Sequence, residues 1–253
     1  MEEIFFVRFS LQQSAGIFKE NQFSCDGIIG KSEEEIESYI KECDEWQRQT
    51  AEKLREKYGD MKELEGKRVL YVGDSLTADR TGYRGITTKA AKLDAHSMAF
   101  SGATSIDMLR SIYGDVVNFK PEVVTVLIGT NDIFFMGGDE KINLVSCEEY
   151  KRNLTEIISI SKKSGADVMV ITLPETLYKN DNIKENNSEN VSAYNDIIKA
   201  VAEKTGAVLI DWNSVHKSIG AEKLLDGDGV HLNKEGQAML ADLWIQTLKN
   251  VIS

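Results

Sequence analysis

Lys67-Arg68-Val69-Leu70-Tyr71-Val72-Gly73-Asp74-Ser75-Leu76 is the stretch on which the reading of this chain turns. Arg68 to Val72 is a short run rich in strand-forming residues, and it stops at a glycine followed by two small polar residues. A short apolar run bounded by turn signals is consistent with a fully buried strand. The same pattern recurs downstream. Glu122 to Ile128 is a strong buried strand ending at Gly129, Asp167 to Leu173 ends at Pro174, and Ala207 to Ile210 is a further strand. His96 to Phe100 is a weaker strand ending at Ser101-Gly102. Helical patterns separate or follow them, around Thr87 to Leu93, Ser105 to Asn118, Cys147 to Lys163, Glu189 to Lys204 and Lys234 to Val251. Strands alternating with helices predict an α/β fold with a parallel sheet and helices on both faces. The polar, Asn-rich Lys179–Asn190 stretch predicts an exposed loop.

Upstream of Lys67 the chain reads differently. Phe5 to Phe9 predicts a short strand, and Ser32-Glu33-Glu34-Glu35 a capping box. Ile36, Tyr39, Ile40, Cys43, Trp46, Thr50, Leu54 and Tyr58 follow at helical spacing. They form one apolar stripe on a long charged helix, which favours packing on its own chain over a lid or a homo-oligomer contact. The expected organisation is an N-terminal extension, residues 1–66, before a catalytic domain over residues 67–253.

Composition limits the function classes. The formal net charge of -11 disfavours nucleic acid and anionic lipid as partners. No apolar run is long enough to span a bilayer, so no stable membrane insertion is expected. The acidic Met1-Glu2-Glu3 start lacks the positive region of a signal peptide, and cytoplasmic residence is the expectation. Cys25, Cys43 and Cys147 are scattered and odd in number, which implies no disulfide framework or zinc knuckle, and only three histidines argue against a His-rich metal site. No metal or organic cofactor is expected.

In open parallel sheets, ligands bind beyond the carboxyl ends of the strands. Four polar, glycine-bearing turns collect there: Gly73-Asp74-Ser75, Ser101-Gly102-Ala103-Thr104, Gly129-Thr130-Asn131-Asp132 and, before the last helix, Asp228-Gly229-Val230-His231. They supply the parts acyl transfer needs. A serine hydroxyl needs an adjacent base. Imidazole suits that task, with an ordinary pKa of about 6.5. The base needs a carboxylate to fix its tautomer, and the tetrahedral intermediate needs amide donors. Each part also has a plainer reading. A Gly-Asp-Ser turn could cradle a phosphate, Asn131 and Gly102 could be turn residues, and Asp226 competes with Asp228. His96 sits at a strand start, and His216 has no carboxylate three residues before it. Asp74 and Asp132 read as residues that hold their turns. The joint order of the motifs favours the chemical reading. No G-x-S-x-G surrounds Ser75, and neither a P-loop nor a placed G-x-G-x-x-G occurs.

From Lys67 to its C-terminus the chain resembles the GDSL, or SGNH, esterases and lipases, which are named for residues in four blocks. Ser75, Gly102, Asn131 and His231 match those blocks. The resemblance implies a three-layer α/β/α sandwich with a five-stranded parallel sheet and flavodoxin-like strand order. It implies a triad of Ser75, Asp228 and His231. It also implies an oxyanion hole of the Ser75 and Gly102 amides and the Asn131 side chain. Two positions depart from the family pattern. Ser97 and Ala99 stand where many members have Asn-x-Gly, and Leu232 stands where many have Pro. Neither removes a catalytic group, but they leave the subfamily and hence the substrate open, a lysophospholipase or thioesterase among the alternatives; transfer to a sugar hydroxyl and a non-catalytic binding scaffold are the other readings of the same fold. Short-chain esters, O-acetylated carbohydrate above all, are the favoured substrate.

Overall fold

In the computed structural model the described residues are 33–136, 142–177 and 188–252. The expected strand at Phe5 to Phe9 and the capping serine Ser32 lie outside them. Five strands form one parallel sheet: β1 (Arg68–Gly73), β2 (Asp94–Ser97), β3 (Val123–Leu127), β6 (Asp167–Ile171) and β7 (Val208–Ile210). Their order is β2-β1-β3-β6-β7. Counting sheet strands alone, this is the 2-1-3-4-5 order of the flavodoxin-like fold. Every pairing is parallel. β3 is buried along its whole length and β1 everywhere but Arg68, as expected of strands covered on both faces. A two-residue hairpin, β4 (Phe135–Met136) with β5 (Ile142–Asn143), stands beyond the end of β3.

Among the described residues the helices are α1 (Glu33–Tyr58), α2 (Ser75–Ala78), α3 (Tyr83–Ala91), α4 (Ser105–Phe119), α5 (Cys147–Lys163), α6 (Ser188–Thr205), α7 (Trp212–Ile219), α8 (Ala221–Leu224) and α9 (Lys234–Ile252). α3 and α9 cover one face of the sheet, with α1 outside α3, and α4 to α6 cover the other. Trp244 of α9 ties its layer to the sheet: its Nε1 donates to Thr125 Oγ1 of β3 at 3.0 Å, and its ring stacks on Tyr71 of β1. The stripe on α1 faces inward. Ala51, Leu54, Met61 and Leu64 belong to the same buried core as β1. Gln47 lies in a gap that Gly85 leaves, where a Cβ on residue 85 would collide with the Gln47 amide. The side chain donates to Arg80 O at 2.6 Å.

Three local readings change. β2 lies at Asp94–Ser97, two residues before the expected His96 start. It is an edge strand whose register runs Arg68↔Asp94 to Tyr71↔Ser97, and the chain has left it before Phe100, which is 41% exposed. α3 starts at Tyr83 instead of Thr87, because Gly85 is accommodated inside the helix under Gln47. α6 begins at Ser188, inside the stretch read as loop, while 178–187 lie outside the described residues. α2, α7 and α8 and the hairpin were not anticipated. Asp74 and Asp211 signal the starts of α2 and α7, since each accepts a bond from a backbone N–H of its helix's first turn. No helix among the described residues is long and apolar enough to cross a membrane.

Candidate active site

The turn after β1 is tight. A Cβ on Gly73 would strike Thr77 and the Leu127 carbonyl of the neighbouring strand, so only glycine lets the two strand ends approach this closely. Asp74 then caps α2, its Oδ1 accepting from Leu76 N at 3.0 Å. Ser75 is the first residue of α2 and is only 5% exposed. The sequence thus turns the serine at a strand end into a fixed, nearly buried hydroxyl.

That hydroxyl meets the candidate base, His231. Ser75 Oγ lies 2.8 Å from His231 Nε2, across 156 residues of sequence. His231 Nδ1 lies 2.6 Å from Asp228 Oδ2. A carboxylate only accepts, so Nδ1 carries the proton and Nε2 is left to accept from the serine. Asp228 Oδ1 accepts the Val230 and His231 amides at 2.9 and 3.0 Å, which locks the carboxylate in place. Burial pushes the Asp228 carboxyl up, but the bonds from the His231 ring and these two amides outweigh it and hold it at about 2. The competing Asp226 contributes its backbone, with its N–H donating to His231 O at 2.8 Å.

The other two histidines lie apart from Ser75. His96 is exposed beside Asp115 at 3.0 Å. His216 is buried with its Nδ1 accepting from Glu175 N at 3.3 Å, and burial pushes it down to about 4, so it is neutral.

The remaining blocks meet at the same edge. Gly102 adopts φ +77, while a Cβ there would meet nothing within 4 Å, so the glycine is required by its backbone and not by space. Asn131 Nδ2 donates to Ala103 O at 2.8 Å, tying the two loops together. An amide NH2 carries two protons, so one bond leaves the other for a ligand. Asp132 is wholly buried and anchors its turn, accepting from Ser105 N and from Ser105 Oγ. Burial pushes its carboxyl up to about 6 against those bonds. Asp74 is pushed up to about 7 by burial, against the Leu76 amide, and its Oδ2 has no hydrogen-bond partner among the described residues.

Sequence reasoning missed Gln237, which is fully buried, and with it Asp79 and Thr81. A signal existed. Gln237 stands on the stripe that continues through the buried Leu240, Ala241, Trp244, Ile245 and Leu248, where an apolar residue is the rule.

A hydrogen-bonded Ser-His-Asp chain at the carboxyl edge of a flavodoxin-like sheet is the arrangement of serine-dependent acyl hydrolases. The chain belongs to the GDSL-like Lipase/Acylhydrolase family, which residues 71–239 match. An acetylxylan esterase of Geobacillus stearothermophilus is 24% identical over 219 residues, covering 74% of this chain and 96% of that protein. A multidomain esterase of Ruminococcus flavefaciens is 23% identical over 177 residues, 65% of this chain. The match spans only 22% of that much longer protein. Among solved structures, a lipase/acylhydrolase from Enterococcus faecalis superposes with a TM-score of 0.63 at 18% identity, covering 73% of this chain and 96% of that one. At that identity the superposition supports the fold.

Proposed function

We propose that the protein hydrolyses carboxylic esters through an acyl-enzyme on Ser75, and that its substrates are short-chain esters such as O-acetylated carbohydrate. The observation that carries this reading is the continuous chain Ser75 Oγ, His231 Nε2, His231 Nδ1, Asp228 Oδ2 at 2.8 and 2.6 Å.

In this reading Ser75 Oγ attacks the ester carbonyl carbon while His231 Nε2 takes the hydroxyl proton. The imidazolium that forms is stabilised by Asp228, which stays ionised. The Ser75 and Gly102 amides and the free Asn131 proton stabilise the oxyanion. The C–O bond to the leaving alcohol then breaks, and His231 returns its proton to that oxygen. Water, deprotonated by the same nitrogen, attacks the acyl-enzyme and releases the acid and Ser75. The protonation states argued from hydrogen bonding suit each step. Residues 67–253 hold every one of these groups, and residues 1–66 act as an extension whose helix braces them.

The substrate part of the proposal draws on the esterases named above, one of which carries acetylated xylan in its name. Wild-type and Ser75→Ala protein should be compared on a panel of esters differing in acyl length, with acetylated xylo-oligosaccharides included. The proposal expects acetyl esters to lead the panel and Ser75→Ala to be inactive on all of it. Full turnover by Ser75→Ala would refute the nucleophile, and preference for long acyl chains would refute the substrate class.

A further inference from the structure

The serine and its base come from chain segments far apart in sequence, yet such a pair must be held to within about 0.5 Å of its productive geometry. One side chain, Gln237, links the two segments directly. Gln237 lies six residues beyond His231, in the first turns of α9, and is fully buried. Its Oε1 accepts from Tyr83 N at 2.8 Å. Its Nε2 donates to Asp79 Oδ2 at 3.0 Å and reaches Leu76 O at 3.4 Å. The amide therefore grips the nucleophile segment at three points.

Both ends of the link are themselves fixed. On the serine side, Asp79 N donates to Ser75 O at 3.0 Å, and Asp79 Oδ1 accepts from Thr81 N and Oγ1 at 2.8 and 2.9 Å. On the histidine side, Gln237 N donates to Asn233 O, and Asn233 N donates to Leu224 O, both at 2.9 Å. Leu225 and Leu232 then bridge across the turn that contains His231. A buried amide costs free energy unless its hydrogen bonds are made. Here they are made, all to the segment running from Ser75 to Tyr83.

Resting on the esterase reading above, we propose that Gln237 is a positioning residue that sets Ser75 Oγ against His231 Nε2. Displacements of about 1 Å can cost on the order of a hundredfold in rate.

The test uses the full chain and a small acetyl ester. Gln237→Met keeps length and bulk but removes the polar atoms. It should lower kcat by about 10- to 100-fold with KM within about threefold of wild type. Fluorophosphonate labelling of Ser75 should slow in parallel, while circular dichroism stays native. A folded Gln237→Met with wild-type kcat and labelling rate overturns the proposal. If that variant does not fold, Asp79→Asn decides. It keeps its shape, and its NH2 faces either the Gln237 NH2 or the Thr81 N–H, so one anchor of the link is lost in either orientation, kcat should fall at constant KM, and an unchanged kcat overturns the proposal. Ser75→Ala is run alongside. Activity in Ser75→Ala sinks the esterase reading itself, whereas a dead Ser75→Ala beside a fully active Gln237→Met sinks the positioning role alone.

Discussion

Replacing Asp228 by Asn tests the orientation of the base. In the native protein Asp228 Oδ2 takes the Nδ1 proton at 2.6 Å, and Oδ1 holds the Val230 and His231 amides. Asparagine has one oxygen and one NH2 for these two jobs. If the oxygen stays with the two amides, the NH2 faces Nδ1 and drives the imidazole proton to Nε2. Nε2 then cannot take the serine proton. In serine-protease triads that tautomer error costs about 10⁴ in kcat, or roughly 5.5 kcal/mol. If the asparagine flips, the tautomer survives but two backbone donors lose their acceptor and face an NH2. At about 1–3 kcal/mol each, the flipped state lies about 2–6 kcal/mol higher and holds only a minor fraction of the molecules. The flipped fraction sets a floor, so kcat/KM should fall by about 10²- to 10⁴-fold. Asp226→Asn, whose backbone bond to His231 O survives substitution, should stay within about threefold. Initial rates on a chromogenic acetyl ester, with folding checked by circular dichroism, measure both. A folded Asp228→Asn keeping more than about a tenth of wild-type kcat/KM would refute the tautomer argument. So would a larger loss in Asp226→Asn.

Asn131→Ala should lower kcat by about 10²- to 10³-fold with little change in KM, the usual cost of one oxyanion donor, and an equal rise in KM would place Asn131 in ground-state binding instead. Asp74 binds its proton up to about pH 7 when folded but only up to about 4 when unfolded, so its burial lowers stability progressively as pH rises through that window. Asp74→Asn keeps the cap on Leu76 and should therefore raise Tm relative to wild type more at pH 8 than at pH 5, and an equal effect at both pH values would contradict this. Asp228 has the opposite sign: its contribution is present above the ordinary carboxylate range and is lost as pH falls toward about 2, and Asp228→Asn should remove that part of the acid-unfolding curve. Deleting residues 1–66 uncovers the partners of Leu54, Met61 and Leu64, worth on the order of 5–9 kcal/mol at about 1.5–3 per side chain, against a typical total of about 5–15. The remaining 67–253 should therefore be insoluble or unfolded, and a soluble fragment with wild-type Tm would contradict the bracing role.

What could be read before the structure followed from strong, repeated physical signals. β3 and α5 lie where the buried run after Glu122 and the pattern over Cys147–Lys163 place them, because long periodic or wholly apolar segments leave little choice. The three polar turns after β1, β2 and β3 were legible because a parallel sheet puts all its strand ends on one edge, whereas Asp228–His231 follows α8 and reaches that edge through tertiary packing. β2 was misplaced because an edge strand, half exposed, has a weak hydrophobic pattern and takes its register from β1. α3 extends back to Tyr83, and what accommodates Gly85 within it is Gln47, on another helix. Gln237 went unnoticed for a similar reason. A lone glutamine on an apolar stripe says only that something polar faces it, and Asp79 and Tyr83 become its partners only once α9 is docked on α3.

The claim on which the rest depends is that Ser75 carries the acyl group. Acid-quenched turnover of an acetyl ester, followed by proteolysis and mass spectrometry, reads this directly. The account predicts one acetyl group on the peptide containing Ser75 in the wild-type protein, and none in Ser75→Ala, which should also release no acetate. Acetylation of another residue, or acetate release by Ser75→Ala at the wild-type rate, would contradict it.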